Sequence, residues 1–228
     1  MMSRMPFPEE RFRIEVPARG EVGGAYARPG GASTTLVVAH GAGAGMDHPF
    51  LVGFSRAIND LGIASLRFNF PYMEARRRGT DTPAVAVAAW RAAFEVAAAR
   101  AAATEPVWAG GKSFGGRMAS MAVAEGMPAA GLIFLGYPLH PPGKPERVRA
   151  DHLYEIKVPM LFVQGTADPF ATPAVLEPVL ARLKDRATLH QVEGGHSLER
   201  SRGDDPREVG ASIAPVVAEF IAGHAKGR

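Results

Sequence analysis

Glycines stand two residues before and two residues after Ser113, in Gly111-Lys112-Ser113-Phe114-Gly115, where an apolar run ends and a stretch of small residues begins. That spacing suits a nucleophile elbow, a sharp strand-to-helix turn that glycines permit and that holds a serine hydroxyl exposed in a strained conformation. In a chain with 26 glycines, roughly 0.1 such matches arise by chance, so the weight of the motif rests on its strand–turn–helix setting. A serine hydroxyl is a weak nucleophile until a base removes its proton. Of the seven histidines, only His196 follows the last expected strand within a flexible loop, Glu193-Gly194-Gly195-His196-Ser197. His48, His140, His152 and His224 read as surface or capping residues, and His190 as part of a strand.

The base needs a carboxylate to fix its tautomer and to stabilise the imidazolium. Asp168, in Gly165-Thr166-Ala167-Asp168-Pro169, follows an apolar strand and so falls on the same sheet edge as Ser113 and His196. Alone, an Asp before Pro reads as a turn or cap. The chain order Ser, Asp, His, each at the end of a successive strand, makes it the acid. Asp151, in the irregular segment after the preceding strand, is the competing candidate. An oxyanion formed at Ser113 needs two backbone N–H donors. Phe114 supplies one, and Ala42, with Gly43 as substitute, supplies the other from His40-Gly41-Ala42-Gly43. His40 is expected to brace that loop through hydrogen bonds. Lys112 and Arg117 flank the elbow and receive no catalytic part.

These residues need a sheet whose strand ends converge. Arg11–Ala18 and Glu21–Ala27 alternate as edge strands do, with Gly20 at the turn. Continuous apolar runs at Thr34–Ala39, Ile63–Phe70, Pro106–Ala109, Gly131–Gly136 and Met160–Gln164 suit strands buried on both faces, and Ala187–Val192 completes the set. Helices are expected at Pro49–Asp60 (capped by Asp47 or His48), Pro83–Ala103, Phe114–Glu125, about Pro173–Lys184, and at the C-terminus, where Pro215 starts or kinks the helix. Thr82 is placed to cap the second of these, and Arg91 and Glu95 to pair across one turn. The pattern predicts an α/β fold: a mostly parallel, twisted sheet of about eight strands with helices on both faces. No repeat or linker divides the chain, so residues 1–228 read as one domain. The irregular segment Tyr137–Lys157 is too short for a helical lid, and the site is expected to be open.

Composition narrows the function further. The chain has no cysteine, which excludes a thiol nucleophile, a disulfide framework and cysteine-based metal sites. A net charge of +3 with scattered basic residues argues against a nucleic-acid partner. Met1 to Phe12 holds no apolar run of signal-peptide length, and no stretch approaches the ~20 apolar residues of a membrane span, so the expected location is the cytoplasm. Arg76–Arg78, after the strand Ile63–Phe70, could attract an anionic acyl or phosphate group, but read first as a solvated loop.

The motifs resemble the α/β-hydrolase superfamily over nearly the whole chain, near the dienelactone-hydrolase-like esterases. AHGAGAGMDHPF (39–50), RFNFPY (67–72), GGKSFGGRM (110–118) and QGTADPF (164–170) are similar to a KANL3/Tex30-type branch of predicted hydrolases. The resemblance implies the α/β-hydrolase fold and the same triad positions, and implies no substrate. True dienelactone hydrolases carry a cysteine nucleophile where Ser113 stands, and an aspartate nucleophile is likewise excluded at that position. The expected function is therefore that of a serine hydrolase cleaving a small carboxylic ester or thioester through an acyl-enzyme. No cofactor, metal or membrane partner is called for, and a homodimer is left open. A serine peptidase or transacylase with the same triad, and a weakly active protein-interaction module on the same fold, are the rival readings.

Overall fold

The computed structural model describes residues 7–225, so the first half of the N-terminal segment judged free of a signal peptide lies outside the described residues. Two antiparallel strands come first, β1 (Glu10–Val16) and β2 (Gly20–Ala27), followed by β3 (Thr35–Ala39), helix α1 (Pro49–Asp60) and β4 (Ala64–Phe68). A four-residue α2 (Pro71–Glu74) and a long α3 (Pro83–Arg100) lead to β5 (Val107–Lys112), α4 (Phe114–Ala124) and β6 (Leu132–Leu135). The chain continues through α5 (Asp151–Glu155), β7 (Met160–Gly165), α6 (Pro173–Leu183), β8 (Ala187–Val192) and α7 (Pro206–Ala225). The sheet order is β1-β2-β4-β3-β5-β6-β7-β8. β1 and β2, and β2 and β4, pair antiparallel, and the pairs from β4 through β8 are parallel.

Period-two alternation divides the apolar strands between two cores. Leu36, Val38, Ile133, Leu135, Leu161 and Val163 face α1 and α7. Their neighbours Val37, Ala39, Leu132, Phe134, Met160 and Phe162 face the opposite side, with Trp90 and Ala93 of α3, Met118 of α4 and Leu176 of α6. Each strand is thus buried on both faces, which is why these runs are continuously apolar. α1 and α7 approach closely enough that only glycine fits: a Cβ on Gly53 would lie 2.0 Å from the Arg207 carbonyl oxygen, and one on Gly210 would lie 2.1 Å from that of Phe50.

Several local expectations change. β4 stops at Phe68 because Phe70 is the N-cap of α2 and Pro71 its first residue, a helix too short to show periodicity. Thr82 occupies the N-cap of α3 without a side-chain cap bond. Arg91 turns from Glu95 to donate to the Glu125 carbonyl at 2.8 Å. His48, not Asp47, caps α1, its Nδ1 accepting from the Phe50 N–H at 3.3 Å, while Asp47 pairs with Arg11. Pro215 lies within α7, and the irregular segment contains α5.

Candidate active site

The connections reverse direction between β3 and β5. β3 leads outward to β4, whereas the chain after β5 proceeds the other way. In open parallel sheets the crevice beyond the strand ends at such a switch point is where ligands bind. Ser113 sits there, between β5 and α4, with φ 50° and ψ −113°. The turn is possible because its neighbours lack side chains. A Cβ on Gly115 would lie 2.5 Å from the Ala39 carbonyl oxygen, and one on Gly111 would lie 2.6 Å from the same atom. Trp90 Nε1 donates to the Gly115 carbonyl at 3.0 Å and pins the start of α4.

Ser113 Oγ is 2.7 Å from His196 Nε2, and His196 Nδ1 is 2.7 Å from Asp168 Oδ2. For Nε2 to accept the serine proton, the ring must carry its own on Nδ1, where Asp168 accepts it. Asp168 is buried and also accepts from the Phe170 N–H at 2.8 Å and from the Gln164 side-chain amide. The loops bearing Asp168 and His196 are tied by the Ala167 N–H donating to the Gly194 carbonyl at 2.9 Å. Gly165 permits that approach, since its Cβ would stand 2.2 Å from the Gly195 carbonyl oxygen. Asp151 is exposed at the first position of α5 and takes no part in the constellation.

The loop after β3 is held by an aromatic cluster. His40 is fully buried; its Nδ1–H donates to the Gly41 carbonyl at 2.8 Å and its Nε2 accepts from the Phe70 N–H at 3.2 Å. Tyr72 Oη, delivered by α2, donates to the same Gly41 carbonyl at 3.3 Å. Burial pushes the His40 imidazole down to about 4. The brace expected of His40 is present. Ala42 and Phe114 both line the pocket beside Ser113, and neither backbone N–H donates to another described residue. Phe114 opens α4, so its amide is one of the free donors of a helix N-terminus.

The cavity above these groups measures about 820 Å³ and is walled by the loop after β3, the start of α4, the segment after β6 and the His196 loop. No helical lid is inserted between β6 and β7, where α5 has only five residues. Arg76 and Arg78 are exposed, and Arg77 pairs with Asp81, so the basic triplet does not enter the pocket. Several contributors went unread in the sequence. Lys112 Nζ donates to the His196 carbonyl at 2.5 Å, holding that loop from behind; burial pushes its ammonium down to about 8, against the attraction of Asp168 and Glu199. Gln164 bridges Asp168 to the Tyr137 N–H, and a lone polar residue near the end of an apolar strand was the signal for it. His140, taken for a surface residue, is buried, with both ring nitrogens on carbonyl oxygens, those of Pro141 and Pro169. His152 is likewise drawn inward, 2.8 Å from Ser120 Oγ.

This sheet order, with a Ser–His–Asp arrangement at the switch point, defines the class. The alpha/beta hydrolase domain family matches residues 32–222, and the chain belongs to it. Among solved structures, an alpha-beta serine hydrolase homologue from Coxiella burnetii superposes with a TM-score of 0.73 at 19% identity, covering 97% of this chain and 99% of the other. Dienelactone hydrolase from Anabaena variabilis gives 0.70 at 19% identity, covering 96% and 99%. An α/β serine hydrolase without lid from Xanthomonas campestris gives 0.72 at 21% identity, covering 96% and 98%. The chain is dienelactone-hydrolase-like in its fold. Among the described residues, no helix is long and apolar enough to cross a membrane.

Proposed function

We propose that the chain is a single catalytic domain that hydrolyses small carboxylic esters or thioesters, with Ser113 as nucleophile, His196 as base and Asp168 as its orienting acid. The observation that supports this reading is the unbroken hydrogen-bonded line from Ser113 Oγ through His196 to Asp168, two contacts of 2.7 Å, opening onto one cavity. Ser113 Oγ attacks the substrate carbonyl as His196 Nε2 takes its proton, and Asp168 stabilises the resulting imidazolium. The oxyanion faces the N–H groups of Phe114 and Ala42. Collapse breaks the bond to the alcohol or thiol, which leaves with the proton from His196. A water molecule then loses a proton to His196 as it attacks the acyl-serine, and collapse breaks the acyl–Oγ bond and releases the acid as His196 returns the proton to Ser113 Oγ.

A fluorophosphonate probe tests the nucleophile: one label per chain on the wild type and none on Ser113→Ala. Normal labelling of that variant removes the central assignment. With no lid over the pocket, short p-nitrophenyl esters should be turned over faster than long ones, without activation at micellar interfaces.

A further inference from the structure

Five charged side chains line the cavity: Asp81, Lys112, Arg117, Arg149 and Glu199. Asp81 is occupied by the Arg77 guanidinium and the Tyr72 N–H, and Lys112 by the His196 carbonyl. Arg117 and Arg149 differ. Among the described residues, neither guanidinium has a carboxylate within 4.0 Å or donates a side-chain hydrogen bond. Arg117 Nε is buried with no hydrogen-bond partner at all. Most other unpaired arginines stand in solvent, where water serves them, but Arg117 is only partly exposed. Burial, with the charge of Arg149 added, holds its guanidinium below the ordinary value.

Placement gives the pair a use. Arg117 lies one helical turn beyond the nucleophile, its N–H donating to the Ser113 carbonyl at 3.0 Å, so its stem starts about 6 Å along the helix axis from Ser113. Arg149 reaches the same cavity from the segment after β6, which is folded back by its N–H donating to the Leu139 carbonyl at 2.7 Å. Arg149 is exposed and water serves it, but Arg117 is partly buried with Nε unpartnered, a cost that an anionic ligand reaching both guanidinium groups would offset. A guanidinium fork matches a carboxylate or phosphate in two parallel hydrogen bonds. Glu199, in the His196 loop, lines the cavity too, but lies beyond 4.0 Å of both guanidinium groups.

Building on the serine-hydrolase reading, we propose that Arg117 and Arg149 form an anion-binding subsite, and that the enzyme acts on esters carrying a second, unreactive anionic group. The group stays intact and fixes the scissile carbonyl over Ser113.

Matched ester pairs test this. On the acyl side, mono-p-nitrophenyl glutarate is compared with p-nitrophenyl valerate; on the alcohol side, 4-acetoxybenzoate is compared with 4-acetoxybenzamide. The wild type should prefer the anionic member of at least one pair by roughly tenfold or more in kcat/KM, and the pair that shows it tells which side carries the charge. Arg117→Met and Arg149→Gln should each bring that ratio toward one, while Arg147→Gln, an exposed neighbour outside the cavity, keeps it. A wild type indifferent to charge in both pairs, or a preference unchanged in both variants, overturns the subsite. Binding of monomethyl glutarate and of inorganic phosphate to Ser113→Ala protein, by calorimetry, reads the subsite without turnover. Carboxylate or phosphate binding that weakens tenfold in the Arg117→Met background supports it, and no binding of either rejects it. Loss of fluorophosphonate labelling and of neutral-ester turnover in the wild type, by contrast, counts against the hydrolase reading and leaves the calorimetric result to decide the subsite.

Discussion

His40 couples the stability of the fold to the loop that faces Ser113, and acid should uncouple them. Both ring nitrogens are committed: Nδ1–H gives a hydrogen bond to Gly41 and Nε2 receives one from Phe70. A second proton on Nε2 removes the acceptor and places a charge where no water reaches. The folded-state value of about 4 lies below the ordinary 6.5, so the unfolded chain binds more protons than the folded one between these limits. Stability contributed by neutral His40 is then present above about pH 6.5 and is lost as pH falls toward 4. At 1.36 kcal/mol per pH unit, the loss at pH 5 comes to about 2 kcal/mol, and the full loss below pH 4 to about 3. His152, held down to about 4 by burial and by the Arg117 charge, acts in the same window and with the same sign. Denaturant melts at pH 7.5 and pH 5.0 measure this directly. The wild type should lose about 4 kcal/mol from the two histidines, and His40→Gln about 2 kcal/mol less than that. An equal loss in wild type and His40→Gln would refute the argument that His40 stays neutral because both of its nitrogens are engaged.

Two further changes probe the site and the frame that carries it. Asp168→Asn should leave the fold intact and cut ester turnover by several orders of magnitude, as about 10⁴ is lost in a protease triad; adding His196→Ala should change little more, since the three groups act as a unit, and a single variant within tenfold of wild type would unseat Asp168. Gly53→Ala should destabilise the protein by about 2 kcal/mol or more, because its Cβ meets the Arg207 carbonyl at 2.0 Å, whereas Gly223→Ala, in open space on α7, should be neutral or stabilising by up to ~1 kcal/mol; thermal melts of the two variants decide.

The positions legible in the sequence share one property: their requirement is local. Ser113 needs glycines within two residues, and Asp168 and His196 need only to follow a strand within a flexible loop. Their convergence comes from chain order. The α/β-hydrolase sheet was legible for a similar reason, because a strand buried on both faces advertises itself as an apolar run. Lys112 and His140 carry no such local mark, and Gln164 shows only as a polar residue in an apolar strand, with nothing to name its partners. Their roles depend on which carbonyl or carboxylate another segment brings alongside, and His140 stands among prolines and charges that read as surface. Arg117 and Arg149 are separated by the rest of α4 and by β6, and only the folded-back segment after β6 brings them to one cavity. The helix α2 failed to register because four residues show no period, although Phe70-Pro71 is the kind of boundary at which a helix begins.

The three groups of the proposed triad hang from strands of unequal depth. Ser113 follows β5, a central strand paired on both sides, and Asp168 follows β7, also paired on both sides, but His196 follows β8, the last in the order, bonded to β7 alone and half-exposed along its length. Segments at the margin of a fold open with smaller free energies than its centre, so local opening reaches the base before it reaches the nucleophile. On warming, the chain should pass through a condition in which its helices and central strands remain protected from hydrogen exchange while β8 has lost protection. A molecule in that condition keeps its serine elbow and its cavity floor and has no base to activate them. If His196 is the base, the working temperature range should be set by one edge ladder, with the melting of the whole domain coming later.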